Sequence, residues 1–383
     1  IGTSDFNNKD YFEASYAPEI VRHSGVGNLN KFQLKDFFHN TSLTPGVVPY
    51  ISSEEFGFNI DFKPEDLELA IQLTYLYMTA PRKDKEAFKD WKLQEKRTYL
   101  KDVGLRTKLD FYQMVHEIIG NYSVNPQGIT KYEAASKLDY GKAFNIYNQL
   151  ISNPSDFTFI ITGEYDLHEA IPILRKYLGN ISEKTESRDG APKNEVNYQL
   201  SKPPFKKIFI PETSIENTHL FYTFLRRTKE QVSLQEEIES EIIKEVLNYK
   251  LMTLRYEKKR DVYLTGARNE INRESGYHSI NIFLSCSKED LNTIENDLNI
   301  IINKLKLEGI SEDLFETIMQ SHIKPKFSEA KRKQNREVLE SLYNYYRYHI
   351  PISKKDSYKE ILEHINITTI KGLLNKYLDQ NNL

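Results

Sequence analysis

The stretch Phe58-Asn59-Ile60-Asp61-Phe62-Lys63-Pro64-Glu65-Asp66-Leu67 reads as a strand turning into a helix. Its first half alternates apolar and polar residues, the period of a half-buried strand. Its second half puts proline in the first helical turn and two acids near the positive end of the helix dipole. An amphipathic run follows, with Leu67, Ala70, Ile71, Leu73 and Thr74 as its apolar stripe. The same order returns later in the chain. Ile280-Asn281-Ile282-Phe283-Leu284 is followed by Ser287-Lys288-Glu289-Asp290-Leu291, and then by Ile294, Leu298, Ile301 and Ile302 at helical spacing. A second pair of segments keeps the same sequence order. Leu138-Asp139-Tyr140-Gly141-Lys142-Ala143-Phe144 parallels Ile365-Asn366-Ile367-Thr368-Thr369-Ile370-Lys371, and each reads as a capped helix start. The chain is therefore read as two copies of one strand–helix unit. Sheets covered by helices on one face make it an α+β fold.

Between the copies, Glu183 to Lys193 is polar, contains Gly190 and Pro192, and shows neither the helical nor the strand period. Pro203-Pro204 closes this stretch. The expected organisation is a first domain over 1–182, a linker over 183–204 and a second domain over 205–383. Aligning the copies leaves the first without counterparts of Lys207-Ile208-Phe209-Ile210 and His219 to Phe224, so it is expected to lack its opening strands. The first copy runs on into Phe157-Thr158-Phe159-Ile160-Ile161-Thr162, a β run with no counterpart after Leu383, so the second is expected to lack its closing strand. A further helix is expected from an N-cap at Ser311, with Pro325 kinking or breaking it.

Composition narrows the function. The chain has 383 residues, enough for two domains. Net charge is −3, which argues against wholesale affinity for nucleic acid or membranes. No apolar run reaches the roughly 18 residues of a membrane helix. Cys286 is the lone cysteine, so no internal disulfide or cysteine-based zinc cluster can form. It lies in an alternating run and reads as a buried structural thiol. The chain opens at Ile1 with no signal-like segment after it, and reads as a processed product, an expressed piece or part of something longer.

Catalytic chemistry is hard to find. The nine histidines are His23, His39, His116, His168, His219, His278, His322, His349 and His364, and no two share a helical face at ligand spacing. His116-Glu117 begins like H-E-x-x-H, but Gly120 stands at the second ligand position, and after His168-Glu169 it is Pro172. No G-x-S-x-G elbow or phosphate-binding glycine loop occurs. Lys324, Lys326, Lys331, Arg332, Lys333 and Arg336 form a basic cluster, read as a solvated helix face rather than a nucleic-acid site. The tyrosines after it, Tyr343, Tyr345, Tyr346 and Tyr348, are expected to pack in the core.

Three segments resemble the second half of pitrilysin/insulinase-family peptidases, especially the long bacterial ones. They are Ser24-Gly25-Val26-Gly27-Asn28-Leu29, the run Gln72 to Asp84 with Glu86-Ala87-Phe88 after it, and Phe157 to Gly163 leading to Leu174-Arg175-Lys176-Tyr177-Leu178-Gly179. The resemblance covers nearly the whole chain in order. It implies the processing-peptidase-like metallohydrolase fold: two homologous domains, each a mostly antiparallel sheet with helices on one face. Members close two halves around a chamber that takes unfolded peptides. One half carries zinc on H-x-x-E-H, where the histidines bind the metal and the glutamate is the general base. At that place this chain has Tyr16-Ala17-Pro18-Glu19-Ile20, which keeps only the glutamate and carries a proline expected to disturb the helix. The resemblance thus implies a half without catalytic residues or metal of its own, with zinc expected in the partner catalytic half, on the same polypeptide or another.

In relatives the inactive half supplies an arginine and a tyrosine, seven residues apart, that reach the substrate. Arginine offers a fork of donors to a peptide carbonyl, and a phenol can donate to the oxyanion. Leu254-Arg255-Tyr256-Glu257-Lys258-Lys259-Arg260-Asp261-Val262-Tyr263 resembles that segment and implies Arg255 and Tyr263 as the substrate-binding pair. Their gap is one residue longer than the family pattern, so a bulge or longer turn is needed between them. The alternative is a non-enzymatic scaffold with the same fold. The bacterial relatives favour a periplasmic or cell-envelope setting over the cytoplasm.

Overall fold

In this computed structural model, the residues described are 1–6, 9–39, 41–43, 46–52, 54–101, 131–182, 217–227, 232–273, 277–328, 334–352 and 357–379. The stretch 183–204 and Lys207–Ile210 lie outside them, as does His116. The chain divides into two compact units, Ile1–Leu200 and Ser201–Leu383.

In the first unit, α1 (Tyr11–Ser24) and α2 (Lys31–Phe37) precede an antiparallel hairpin of β1 (Val48–Ile51) and β2 (Phe56–Asn59). Then come α3 (Leu67–Thr79), α4 (Lys85–Lys101), α5 (Lys131–Lys137), α6 (Tyr140–Leu150) and α7 (Leu167–Tyr177). Ala14, Ala17, Ile20 and Val21 of α1 are fully buried, together with Trp91 of α4 and Tyr147 of α6. Pro18 does not interrupt α1, contrary to expectation. The helix loses one backbone hydrogen bond there, but it is buried on both sides of the proline, and this packing keeps it helical through the gap.

The expected strand at Phe58 is shorter than its alternation suggests. β2 ends at Asn59, and a 3-10 turn over Pro64–Asp66 leads into α3. The expected strand Phe157–Thr162 forms no ladder with a described strand. Phe157 packs its ring against Phe56 and Phe58 instead, so side-chain contact replaces backbone pairing. Two segments that carried the resemblance meet in space. Gly27 N–H donates to the Ala80 carbonyl at 2.8 Å, and Arg82 N–H donates to the Gly25 carbonyl at 3.1 Å.

The second unit is built on a three-stranded antiparallel sheet, in the order β3 (Asn217–Arg227), β5 (Tyr277–Ser287), β4 (Val262–Asn272). Its helices are α8 (Leu234–Tyr256), α9 (Leu291–Glu308), α10 (Glu312–Ile318), α11 (Asn335–Tyr348), α12 (Ser357–His364) and α13 (Ile367–Tyr377). One core joins β5 residues Ile280, Ile282, Leu284 and Cys286 to α8, α9 and α13 through Ile242, Leu251, Ile294, Leu298, Ile370 and Leu374. Burial raises the Cys286 thiol to about 11, helped by Asp290, which keeps it an inert core residue.

Caps read from the sequence are made. Asp139 accepts from Lys142 N–H at the start of α6, Asn366 accepts from Thr368 and Thr369 N–H at the start of α13, and Ser311 accepts from Leu314 N–H at the start of α10. After α10 the chain widens into a π-turn over Met319–Ile323 and stops at the turn Lys324–Lys326, which contains Pro325. The tyrosines of α11 are not core residues: no residue of that helix is buried, and Tyr345 and Tyr346 face solvent. In the basic cluster, Lys326 pairs with Glu241 at 2.6 Å, while Lys331, Arg332 and Lys333 lie outside the described residues.

Candidate functional site

Helix α8 is fixed at its start by a capping box, in which Ser233 Oγ accepts from Glu236 N–H and the Glu236 carboxylate accepts from Ser233 N–H. At its other end the chain must reverse into β4, and no glycine is present to do it. Lys259 takes the left-handed conformation instead, at φ 52°. That geometry costs a residue with a Cβ roughly 1–2 kcal/mol. Three sets of contacts hold the turn. Lys258 N–H and Arg260 N–H, each at 3.0 Å, satisfy the carbonyls of Thr253 and Leu254 at the helix end. Leu254 and Val262 anchor the two sides in the core. Asp297 on α9 accepts from Lys258 Nζ at 2.6 Å and from Arg260 Nε at 2.9 Å. Burial works to raise the Asp297 carboxyl, but its two cationic partners outweigh that and lower it.

The added residue between Arg255 and Tyr263 is accommodated at the start of β4. There Val262 faces Cys286 and Leu264 faces Ser285, so Tyr263 is the extra residue of a bulge. The bulge also explains why Tyr263 and Leu264, neighbours in sequence, are both exposed rather than alternating. Arg255 lies near the end of α8, with its guanidinium 5.9 Å from the Tyr256 ring centroid. Two turns earlier on the same helical face, Asn248 Oδ1 accepts from Ala267 N–H of β4 at 2.7 Å. Arg255 thus lies, exposed, on the helical face that meets β4 two turns earlier. Among the described residues, Arg255 has no ion pair and the Tyr263 hydroxyl no hydrogen-bond partner, whereas Lys258 and Arg260 beside them are both engaged.

The segment that resembles the zinc helix has been put to other use. The Glu19 carboxylate accepts from the Trp91 indole at 3.1 Å. Burial raises the Tyr16 phenol, and the carboxylates of Glu19 and Glu95 push it further in the same direction. Ile20 is fully buried and offers no ligand atom. One engaged carboxylate, one protonated phenol and one alkyl chain do not fit a zinc ion. Among the described residues, no group of three or more His, Cys, Asp or Glu side chains could hold a metal ion.

Sequence reasoning missed Asp297, whose role depends on a contact 39 positions from Lys258, and no local signal marks it. It also missed the buried His278, which hydrogen-bonds Asn269 at 2.8 Å.

Comparison with known proteins agrees with this assembly. The profile of the Peptidase M16 inactive domain matches residues 138–321. A probable zinc protease, PqqL of Haemophilus influenzae, is 28% identical over 193 residues, which cover 50% of this chain and 20% of that protein. Among solved structures, the periplasmic protease PqqL of Escherichia coli superposes with a TM-score of 0.78 at 17% identity, over 98% of this chain and 40% of that one. A protease from Helicobacter pylori superposes with a TM-score of 0.74 at 10% identity, over 100% of this chain and 90% of that one. The chain thus spans well under half the length of the two PqqL proteins it matches. The superpositions carry the fold, and the sequence matches carry the resemblance over about half of the chain. Residues 138–321 thus match the inactive domain of M16 peptidases, and over its whole length the chain has the fold of the halves of such proteases.

Proposed function

We propose that this chain is the non-catalytic half of a zinc endopeptidase, closing on a catalytic half and helping to hold unfolded peptide, with Arg255 and Tyr263 reaching the substrate. The observation that carries the reading is the unequal treatment of neighbouring side chains. Lys258 and Arg260 are tied to Asp297, while Arg255 and the exposed Tyr263 keep their donors free on either side of the same turn. Free donors next to immobilised ones suit a site that must meet a peptide carbonyl or a developing oxyanion with little reorganisation. The bulge at Tyr263 supports this reading, since it takes up one residue and leaves a regular register with β5 from Leu264 to Asn272. Zinc and the general base come from the partner half, on this polypeptide or another. The division into peptidase-like domains over 1–182 and 205–383 belongs to the same proposal, as does a periplasmic setting like that of the Escherichia coli protease.

The test uses the enzyme assembled from this chain and the half that carries H-x-x-E-H, with an unstructured fluorogenic peptide as substrate. Arg255→Ala combined with Tyr263→Phe should lower kcat/KM about 100-fold, with zinc content of the assembly unchanged. Unchanged turnover in that variant would refute the substrate role and favour a scaffold.

A further inference from the structure

We infer that Asp297 is a positioning residue for the Arg255–Tyr263 pair, an inference that rests on the substrate role proposed above. Asp297 touches neither residue in the geometry described, yet it holds the turn between them. Its two oxygens take different donors, Lys258 Nζ and Arg260 Nε, which flank the left-handed Lys259 on its two sides. A residue held in that conformation persists only where its surroundings over-determine it. Asp297 can supply that constraint because it sits on a rigid element: Ile294 and Leu298, its neighbours on α9, are fully buried in the core of the second unit.

The carboxylate also has an electrostatic role. It neutralises two of the cations within a few residues of Arg255, so that, among the described residues, Arg255 and Lys259 are left as the unpaired ones of this turn. Without Asp297, Lys258 and Arg260 would swing free beside it and compete for substrate carbonyls. The turn would also lose the contact that sets the separation of Arg255 and Tyr263. Small misplacements of this kind reduce turnover because the donors must meet the transition state in one arrangement.

The test is a mutant cycle in the assembled enzyme, reading kcat and KM with the same fluorogenic peptide. Asp297→Ala should lower kcat/KM about tenfold, with most of the loss in kcat. Asp297→Glu should recover part of it, since the longer carboxylate can still reach both cations. In the background of Arg255→Ala with Tyr263→Phe, Asp297→Ala should cause no further loss. If the alanine variant does not fold, Asp297→Asn replaces it, keeping the volume while removing the charge. An equal loss in both backgrounds would show that Asp297 acts through general stability and overturn the inference. So would unchanged kinetics for Asp297→Ala when the Arg255 and Tyr263 substitutions do cost activity. If those two substitutions are silent, the substrate role itself fails and this inference falls with it.

Discussion

Gly25→Ala should lower the stability of the first unit by about 3 kcal/mol, a large part of what a domain of this size has to lose. Two independent costs meet at this position. Gly25 adopts φ 96° and ψ −163°, a region essentially restricted to glycine. A Cβ placed there would also lie 2.1 Å from the Leu29 carbonyl oxygen and 2.9 Å from Asn30 Cα. Both are backbone atoms, so no side-chain rotation relieves the clash. The turn they belong to is pinned in turn to Ala80 and Arg82, which spreads any displacement into the end of α3. Gly27 is the control. It has φ 52° but open space around its Cβ position, so Gly27→Ala should cost only about 1 kcal/mol. Urea unfolding followed by the fluorescence of Trp91, the lone tryptophan and fully buried in this unit, reads both variants. Equal effects for the two glycines would contradict the geometry.

Acid should weaken the second unit well before its carboxylates titrate. His278 on β5 is 1% exposed, and its Nε2–H donates to Asn269 Oδ1, whose amide in turn donates to Ser240. The other ring nitrogen is buried without a partner and would have to take the added proton. Burial, then the positive charges of Arg226, Lys376 and Arg273 against the opposing pull of Glu236, depress its pKa to about 4. Glu239 and the Tyr377 ring also stand in this cluster, where Glu239 accepts from Lys376 and from the Tyr377 hydroxyl, and Glu237 holds Arg273. An exposed imidazole titrates near ~6.5, so the unfolded chain takes up its proton first as pH falls. Stability from this residue is therefore complete above about pH 6.5 and drains away as pH falls toward the folded value, by about 3 kcal/mol in all. Urea midpoints followed by circular dichroism between pH 7.5 and 5 should fall accordingly. His278→Gln keeps a donor for Asn269 but has no proton to gain, and should flatten that slope. The same slope in both proteins would mean that His278 is not the acid-sensitive group.

The repeated strand–helix units were legible because their hydrophobic period comes from burying one face, and the caps because Asp139, Ser311 and Asn366 act on N–H groups within three residues. These are local effects, and local sequence carries them. The failures share a different cause. Phe157–Thr162 has the side chains of a strand, but a strand also needs a neighbouring backbone, and among the described residues none pairs with it. Pro18 breaks an isolated helix but not one whose neighbours Ala14, Ala17, Ile20 and Val21 are all buried. The tyrosines of α11 look like core residues by type alone, and type does not say which element lies opposite.

The candidate site divides in the same way. The resemblance pointed to Arg255 and Tyr263, and the irregular gap between them called for a bulge, which is where β4 has one. The contact that secures the turn could not be read, because Asp297 is distant in sequence and ordinary in context. The missing zinc ligands of the helix that resembles the metal-binding one were legible as Tyr16 and Ile20, whereas the use of its glutamate was visible only in three dimensions. Its Glu19 is the acceptor of a buried indole's N–H.

The central claim, that this chain is the half without chemistry, is tested most directly by its zinc stoichiometry. The purified chain would be dialysed against micromolar zinc, weighed by native mass spectrometry, and assayed on the fluorogenic peptide with and without a chelator. The account predicts close to no zinc per chain and no chelator-sensitive cleavage until the catalytic half is added. One zinc per chain, with cleavage that the chelator abolishes, would contradict it.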